Sequence, residues 1–186
     1  VVFGPGGGKP REALPVLRAL LHTDRATLVD ADGLRALAQL DADSATRDSP
    51  TVLTPHPGEM HALLDGFGLG HVAGQSRRDQ ALALAEHLGA TVVLKGQASL
   101  VAAPDGRCTV NTSGTAALAT AGTGDVLAGM IGGLLAQGMS SWHACCCATF
   151  VHGLSGELSP FGQRGLTADD LVDLIPDALR HCTPFP

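Results

Sequence analysis

The sequence predicts an α/β fold in which a mainly parallel sheet is covered by helices on both faces, in three α/β/α layers, with a β-hairpin at one edge. Three observations support this prediction. Short β-type runs alternate with helical patterns through the first half of the chain, and this alternation is typical of parallel sheets. The turn tripeptide Pro104-Asp105-Gly106 separates two further β-type runs. From Asp125 to Arg180 the pattern is helical throughout.

Each element has its own signal in the chain. Runs rich in β-branched residues predict strands at residues 1–3, 26–30, 51–54 and 91–95. Helical spacing predicts helices at residues 10–22, 33–40, 57–65 and 75–88. Residues 99–103 and 107–110 are predicted to pair as the hairpin, a helix is predicted at 126–137, and Pro176 is predicted to break the last helix. Because no linker or repeat interrupts the pattern, we predict a single domain over residues 1–186.

The composition favours small-molecule chemistry. With 186 residues, 45% hydrophobic and 16% charged, the chain can bury a substantial core and is not disordered. The 12 Lys and Arg against 18 Asp and Glu give a net charge of −6, which disfavours nucleic-acid and anionic membrane partners. The long uncharged stretch at residues 126–151 is interrupted by glycines and polar residues, which disfavours a membrane span.

The five cysteines predict free thiols rather than a metal site or disulfides. They show no CxxC spacing, and three of them, Cys145, Cys146 and Cys147, are consecutive. On a helix, consecutive side chains diverge by about 100° and do not converge on one metal. Free thiols predict a reducing, cytoplasmic location. The chain opens with Val1 and has no basic leader, so we expect it to be a fragment of a longer protein.

The most informative segment is Ala121-Gly122-Thr123-Gly124-Asp125, directly before the helix predicted at 126–137. Its glycines permit a tight turn, and a helix N-terminus offers unpaired N–H donors and a positive dipole end. Gly122, Thr123 and Gly124 are therefore predicted to form an anion hole. Asp125 could act beside it as a general base, or it could cap the helix. The pattern leaves both interpretations open.

A glycine-rich turn, Gly4-Pro5-Gly6-Gly7-Gly8, follows the first predicted strand. It fits neither a Walker A loop nor a dinucleotide fingerprint, because Phe3, Lys9 and Pro10 occupy positions that those motifs reserve for other residues. Its position at the carboxyl edge of a parallel sheet is compatible with ligand contact. A simple tight turn between strand and helix is equally compatible.

A titratable or charged side chain stands at the carboxyl end of the third and of the fourth predicted strand. His56 stands between Pro55 and Pro57, which leave it few backbone conformations, and Lys95 precedes Gly96. Ligands bind at this edge of parallel sheets, so both are candidate contacts. A lone histidine is more often structural, and that alternative stays open.

Taken together, the segments resemble the ADP-dependent NAD(P)H-hydrate dehydratases, a family of the ribokinase-like superfamily. The resemblance covers nearly the whole chain and rests on five ordered motifs: Gly4-Pro5-Gly6, Val29-Asp30-Ala31-Asp32-Gly33-Leu34, Thr54-Pro55-His56-Pro57-Gly58-Glu59, Val93-Leu94-Lys95-Gly96 and Ala119 through Gly129. It implies a ribokinase-like fold and repair of hydrated nicotinamide cofactors. The implied reaction dehydrates the S epimer of hydrated NADH or NADPH, with ADP as phosphoryl donor and AMP and phosphate as products.

The resemblance also implies roles for particular residues and partners. Asp125 would be catalytic and, with Gly6 and His56, would contact the hydrated cofactor. The implied nucleotide contacts are Lys95, Gly96, Gln97, Ala98, Ser99 and Gly124. Further implications are Mg²⁺, a homo-oligomer that is tetrameric in the family, and an epimerase, fused or separate.

The chain departs from the family pattern in three respects. Gly7 stands where the family carries Leu, Thr115 stands where it often carries Asn, and the family's first βα units are absent before the Gly4 turn. Two alternatives are kept. The chain could be a kinase for a vitamin-precursor alcohol such as a thiazole or hydroxymethylpyrimidine, which would use the same anion hole, or an inactive nucleotide-binding domain.

Overall fold

The order of the elements in the computed structural model, which describes residues 1–182, follows the predicted alternation. The strands are β1 (Val2–Phe3), β2 (Thr27–Val29), β3 (Thr51–Leu53), β4 (Thr91–Leu94), β5 (Leu100–Ala102) and β6 (Cys108–Val110). The helices are α1 (Pro10–Leu21), α2 (Asp32–Leu37), α3 (Ala42–Ala45), α4 (Pro57–Gly66), α5 (Arg77–Leu88), α6 (Thr123–Ala136), α7 (Ser141–Glu157) and α8 (Ala168–Cys182). Short 3₁₀ turns lie at Gly70–Val72 and Ala116–Ala119.

The strands form one six-stranded sheet in sequence order, β1 to β6. β1 to β4 are parallel, and β4, β5 and β6 pair antiparallel. The hairpin turns at Pro104-Asp105-Gly106, where Gly106 has a φ of 88° and its N–H donates to the Ala103 carbonyl oxygen at 3.1 Å. The predicted parallel sheet with a hairpin edge is therefore confirmed.

Helices cover both faces of the sheet because successive strand residues point to opposite sides. Val29, Leu53 and Val92 pack on one face against α1 to α5. Their neighbours in the chain, Leu28 and Val52, pack on the other face against α6 and α7. The three-layer α/β/α prediction is confirmed.

Two helix predictions are wrong. α6 begins at Thr123 rather than at residue 126, so Gly124 and Asp125 lie inside its first turn. Pro176 does not break the last helix, since it lies within α8. Pro176 is exposed, so the carbonyl group that loses its N–H partner can be hydrated instead, while buried Leu171 and Ala178 hold the helix on either side.

The segment predicted to be helical from Asp125 to Arg180 is also interrupted, at residues 137–140 and 158–167. No helix within residues 1–182 is both long enough and apolar enough to cross a membrane.

The three consecutive cysteines point in different directions on α7, as their spacing predicts. Cys145 is buried, Cys146 is half-buried and Cys147 is exposed. Burial raises the pKa of the Cys145 thiol far above its ordinary value, so this thiol stays protonated and serves as a small core residue.

Candidate active site at the carboxyl edge of the sheet

The four parallel strands end at one edge of the sheet, and the segments singled out from the sequence follow them there. The turn at Gly4 follows β1, Asp30 follows β2, His56 follows β3 and Lys95 follows β4. The N-terminus of α6 reaches the same edge, because a Cβ added to Gly124 would lie 3.6 Å from the Lys95 ammonium nitrogen. Parallel strands place ligand sites at this edge, which makes it the candidate site.

The predicted anion hole is the start of α6. Gly122 is the N-cap residue with φ 89° and ψ −18°, a left-handed conformation that favours glycine, and no side chain caps the helix. Within the described residues, the amide groups of Gly124 and Asp125 donate to no acceptor. These free donors and the positive end of the helix dipole suit a phosphate group.

Asp125 is exposed in the first turn of α6 and makes no capping hydrogen bond. Helix capping would require its carboxylate to accept from a backbone N–H of the first turn. The structure therefore does not support the capping interpretation. It leaves the carboxylate free to face a ligand bound at the anion hole.

Lys95 is fixed by a buried partner that the sequence does not reveal. Its ammonium nitrogen lies 2.7 Å from Oδ1 of Asp30, whose side chain is only 1% exposed, against 20% for that of Lys95. Asp30 precedes Ala31, which has φ 48° and ψ −122°, an uncommon conformation for a residue other than glycine. The pair holds a cation between the end of β2 and the N-terminus of α6.

A cavity of about 500 Å³ opens beside this ion pair. It brings together all six residues predicted to contact the nucleotide: Lys95, Gly96, Gln97, Ala98, Ser99 and Gly124. A further part of its wall is formed by residues of segment 111–119, which includes the second 3₁₀ turn, and by Thr149, His152 and Gly153 on α7. Ligand cavities in proteins commonly have this size.

The part of the cavity wall that α7 forms was not predicted from the sequence. A Cβ on Gly153 would lie 2.1 Å from the Ser113 hydroxyl oxygen, so only glycine allows the loop to approach α7 this closely. Glu157 accepts a hydrogen bond from the Gly114 N–H at 2.6 Å. The small residues Gly153 and Gly156, three positions apart in an apolar helix, were the available signal for close backbone packing.

His152 is a second missed residue of this wall. Its side chain is buried, with the residue 8% exposed, and its Nε2 lies 2.8 Å from the Thr123 carbonyl oxygen. Because the acceptor is a carbonyl, Nε2 is the donor. Burial lowers the pKa of His152, although the bond to Thr123 opposes this effect. A neutral His152 thus ties α7 to the first turn of α6.

We expect the stability of the protein to fall as the pH drops below about 6.5, the ordinary pKa of histidine in an unfolded chain. Since the folded pKa of His152 is lower, the unfolded chain binds more protons in this window and acid favours unfolding. One histidine contributes a slope of at most about 1.4 kcal/mol per pH unit. Urea unfolding at several pH values measures it. His152→Gln should make the free energy of unfolding depend less on pH. The control His61→Gln, at an exposed position, should not. Equal slopes in the wild type and both variants would contradict the assignment to His152.

Gly6 and His56 lie at the same edge but do not line this cavity. His56 is the N-cap residue of α4, and its Nδ1 accepts from the Gly58 N–H at 3.0 Å and the Glu59 N–H at 3.3 Å. Its Nε2 lies 3.3 Å from Oε1 of the buried Glu59, and 51% of the imidazole side chain is exposed. His56 therefore has a structural role, and contact with the hydrated cofactor by His56 and Gly6 stays a prediction.

Comparison with known proteins agrees with this arrangement. The family model described as NAD(P)H-hydrate dehydratase matches residues 1–177. The bifunctional NAD(P)H-hydrate repair enzyme Nnr of Thermofilum pendens is 44% identical over 97% of this chain and 34% of its own length. The ADP-dependent (S)-NAD(P)H-hydrate dehydratase of Neisseria meningitidis is 42% identical over 96% of this chain and 61% of its own length.

Solved structures share the fold. The ADP/ATP-dependent NAD(P)H-hydrate dehydratase of Bacillus subtilis, co-crystallised with ATP and Mg²⁺, matches with a TM-score of 0.85 and 32% identity over 98% of this chain and 64% of its own. A ribokinase-like superfamily protein of Enterococcus faecalis matches with a TM-score of 0.78 and 25% identity over 98% of this chain and 63% of its own, so the ribokinase-like fold prediction is confirmed.

The chain spans about a third of the length of the bifunctional relatives it matches. With a family model that covers residues 1–177 and motifs gathered at one edge of a ribokinase-like sheet, the chain belongs to the NAD(P)H-hydrate dehydratase family.

Proposed function

We propose that the chain catalyses the ADP-dependent dehydration of the S epimer of hydrated NADH or NADPH, restoring NAD(P)H and releasing AMP and phosphate. One observation carries this proposal: the cavity at Lys95 to Ser99 meets the N-terminus of α6 at Gly124, next to the exposed carboxylate of Asp125. The nucleotide, the transferred phosphoryl group and the base would thus lie next to one another along the carboxyl edge of the sheet.

The first chemical step is phosphoryl transfer. Hydroxide is a poor leaving group, so the hydroxyl oxygen of the hydrate first attacks the β-phosphorus of ADP. The bond between this phosphorus and the bridging oxygen breaks, and AMP leaves with that oxygen. The hydroxyl proton passes to the Asp125 carboxylate. The free amides of Gly124 and Asp125 donate to the phosphoryl oxygens as charge develops on them. The Lys95 ammonium, held 2.7 Å from Asp30, adds positive charge on the same side.

The second step is elimination. The carbon–oxygen bond of the phosphorylated hydrate breaks, phosphate leaves with the bonding electrons, and the neighbouring carbon loses a proton to restore the ring double bond. Atoms balance, since hydrate plus ADP gives NAD(P)H, AMP and phosphate.

Mg²⁺ fits this site as a companion of the nucleotide. The ion usually binds through one or two carboxylates together with substrate phosphates. Within residues 1–182, no three acidic, histidine or cysteine side chains converge, which suits an ion held chiefly by the phosphates of ADP. When bound, it would neutralise charge on the transferred group.

The test is incubation with ADP and hydrated NADPH, followed by the return of the absorbance of the reduced nicotinamide ring. We expect the NADPH absorbance to return only when ADP is present, with AMP and phosphate released in equal amounts. Phosphorylation of a thiazole or hydroxymethylpyrimidine alcohol by ATP, without recovery, would support the kinase alternative. ADP binding with neither reaction would support an inactive nucleotide-binding domain.

We further propose that the chain works in the cytoplasm, because its five cysteines are free and such thiols persist in reducing compartments. A homo-oligomer and a fused or separate epimerase stay predictions. Gel filtration with light scattering measures the first, and turnover of the other hydrate epimer measures the second.

A further inference from the structure

Arg77 lies at the start of α5, outside the motifs that suggested the function, and it contacts the backbone of the nucleotide loop. Its Nη1 donates to the carbonyl oxygens of Gln97 at 2.8 Å and Ala98 at 3.3 Å. Its Nη2 donates to those of Leu94 at 3.2 Å and Lys95 at 3.3 Å. One guanidinium thus holds four carbonyl groups of residues 94–98.

The remaining carbonyl group of this loop is also occupied, because the Ser99 hydroxyl donates to the Gly96 oxygen at 3.1 Å. All five consecutive acceptors are therefore bonded to side chains. By contrast, within residues 1–182 the amide groups of Gly96, Gln97 and Ala98 donate to no acceptor. The carbonyl groups of the loop are therefore bonded within the protein, whereas the N–H groups of residues 96–98 can donate to a ligand.

The backbone of the loop is shaped for such donors. Gly96 has a φ of 143° and Ala98 a φ of 54°, and Gln97 and Ala98 lie in a turn. Successive N–H groups in a turn can line a concavity that suits an anion. All three residues line the cavity of about 500 Å³. The guanidinium lies close behind, since a Cβ on Gly96 would be 3.1 Å from Nη2.

We propose that Arg77 is a positioning residue that holds the amides of Gly96, Gln97 and Ala98 as donors to the phosphate groups of the adenine nucleotide. The inference rests on the proposed function for the identity of the ligand. Arginine suits this task because its planar fork offers five fixed donors, whereas a lysine ammonium would reach fewer carbonyl groups.

The experiment compares Arg77→Met and Arg77→Lys with Arg78→Met, whose side chain is exposed in the same helical turn. Without ligand, ¹⁵N order parameters of Gly96, Gln97 and Ala98 should fall in the Arg77 variants and stay unchanged in the Arg78 variant. The dissociation constant of ADP, measured by calorimetry, should rise about tenfold or more in Arg77→Met, because ordering a single backbone residue costs about that factor. Arg77→Lys should fall between Met and the wild type.

Kinetics separate positioning from a merely structural role. We expect a higher KM for ADP, with kcat at saturating ADP and the KM for hydrated NADPH close to those of the wild type. Unchanged ADP affinity in a folded Arg77→Lys protein, or an equal loss in Arg78→Met, would overturn the inference. Failure of the wild type to bind ADP would also overturn it, whereas ADP binding without turnover would contradict only the proposed reaction.

Discussion

Asp125→Asn is expected to lower turnover of hydrated NADPH by about 10²–10⁴-fold, the usual effect of losing a general base. Asparagine has nearly the same shape, but it cannot take a proton at neutral pH. Since Asp125 makes no capping hydrogen bond in α6, the fold has little need of its charge. Thermal unfolding and ADP affinity should therefore stay close to those of the parent, and affinity could only gain from the loss of a negative charge near the phosphates.

A matched control is Asp43→Asn, which removes another exposed carboxylate from the first turn of a helix, α3, a helix that precedes β3 and does not line the cavity. We expect it to leave turnover unchanged. Retention of more than about a tenth of the parental turnover by Asp125→Asn lies outside the general-base range and would disprove the assignment. Because asparagine caps a helix about as well as aspartate, nearly normal turnover with only a small change in melting temperature would instead favour the capping interpretation.

The fold was predictable because its signals are local. Each parallel strand is a short β-branched run beside a helical pattern, and Pro104-Asp105-Gly106 specifies a turn whose Gly106 has the positive φ expected of it. The misplaced start of α6 has a tertiary cause. Gly122-Thr123-Gly124 has low helix propensity, yet tertiary packing extends α6 back to Thr123, which is buried and donates from its hydroxyl to the Leu118 carbonyl at 2.7 Å.

The site was predictable only in part because some of its contacts join distant segments. The end of every parallel strand falls at one edge of the sheet, so the gathering of Gly4, His56 and Lys95 follows from the strand pattern. The partner of Lys95, by contrast, lies 65 positions away at Asp30, and Glu157 meets Gly114 across 43 positions. No spacing rule reports such pairs. The first joins the residues that follow β2 and β4, and the second depends on how the loop at Gly114 packs against α7.

The Lys95–Asp30 pair carries the second large prediction. Lys95→Met keeps the length of the side chain but leaves the carboxylate of Asp30, 1% exposed, buried without its partner. Breaking a buried ion pair in this way costs about 3–5 kcal/mol, a large share of the roughly 5–15 kcal/mol that holds a domain folded. Urea unfolding should show this loss, and the protein could fail to fold altogether.

The double variant Lys95→Met with Asp30→Asn separates stability from binding. It replaces the unpaired charge by a neutral amide of similar shape, so most of the lost stability should return. ADP affinity should not return, because the cation beside Gly124 is still missing. A bond from a charged group contributes roughly 1.5–3 kcal/mol, which corresponds to about a 10- to 100-fold rise in the dissociation constant. If the double variant regains both stability and ADP affinity, Lys95 serves the fold alone and the phosphate must be bound by the amides of α6 and of the loop after β4.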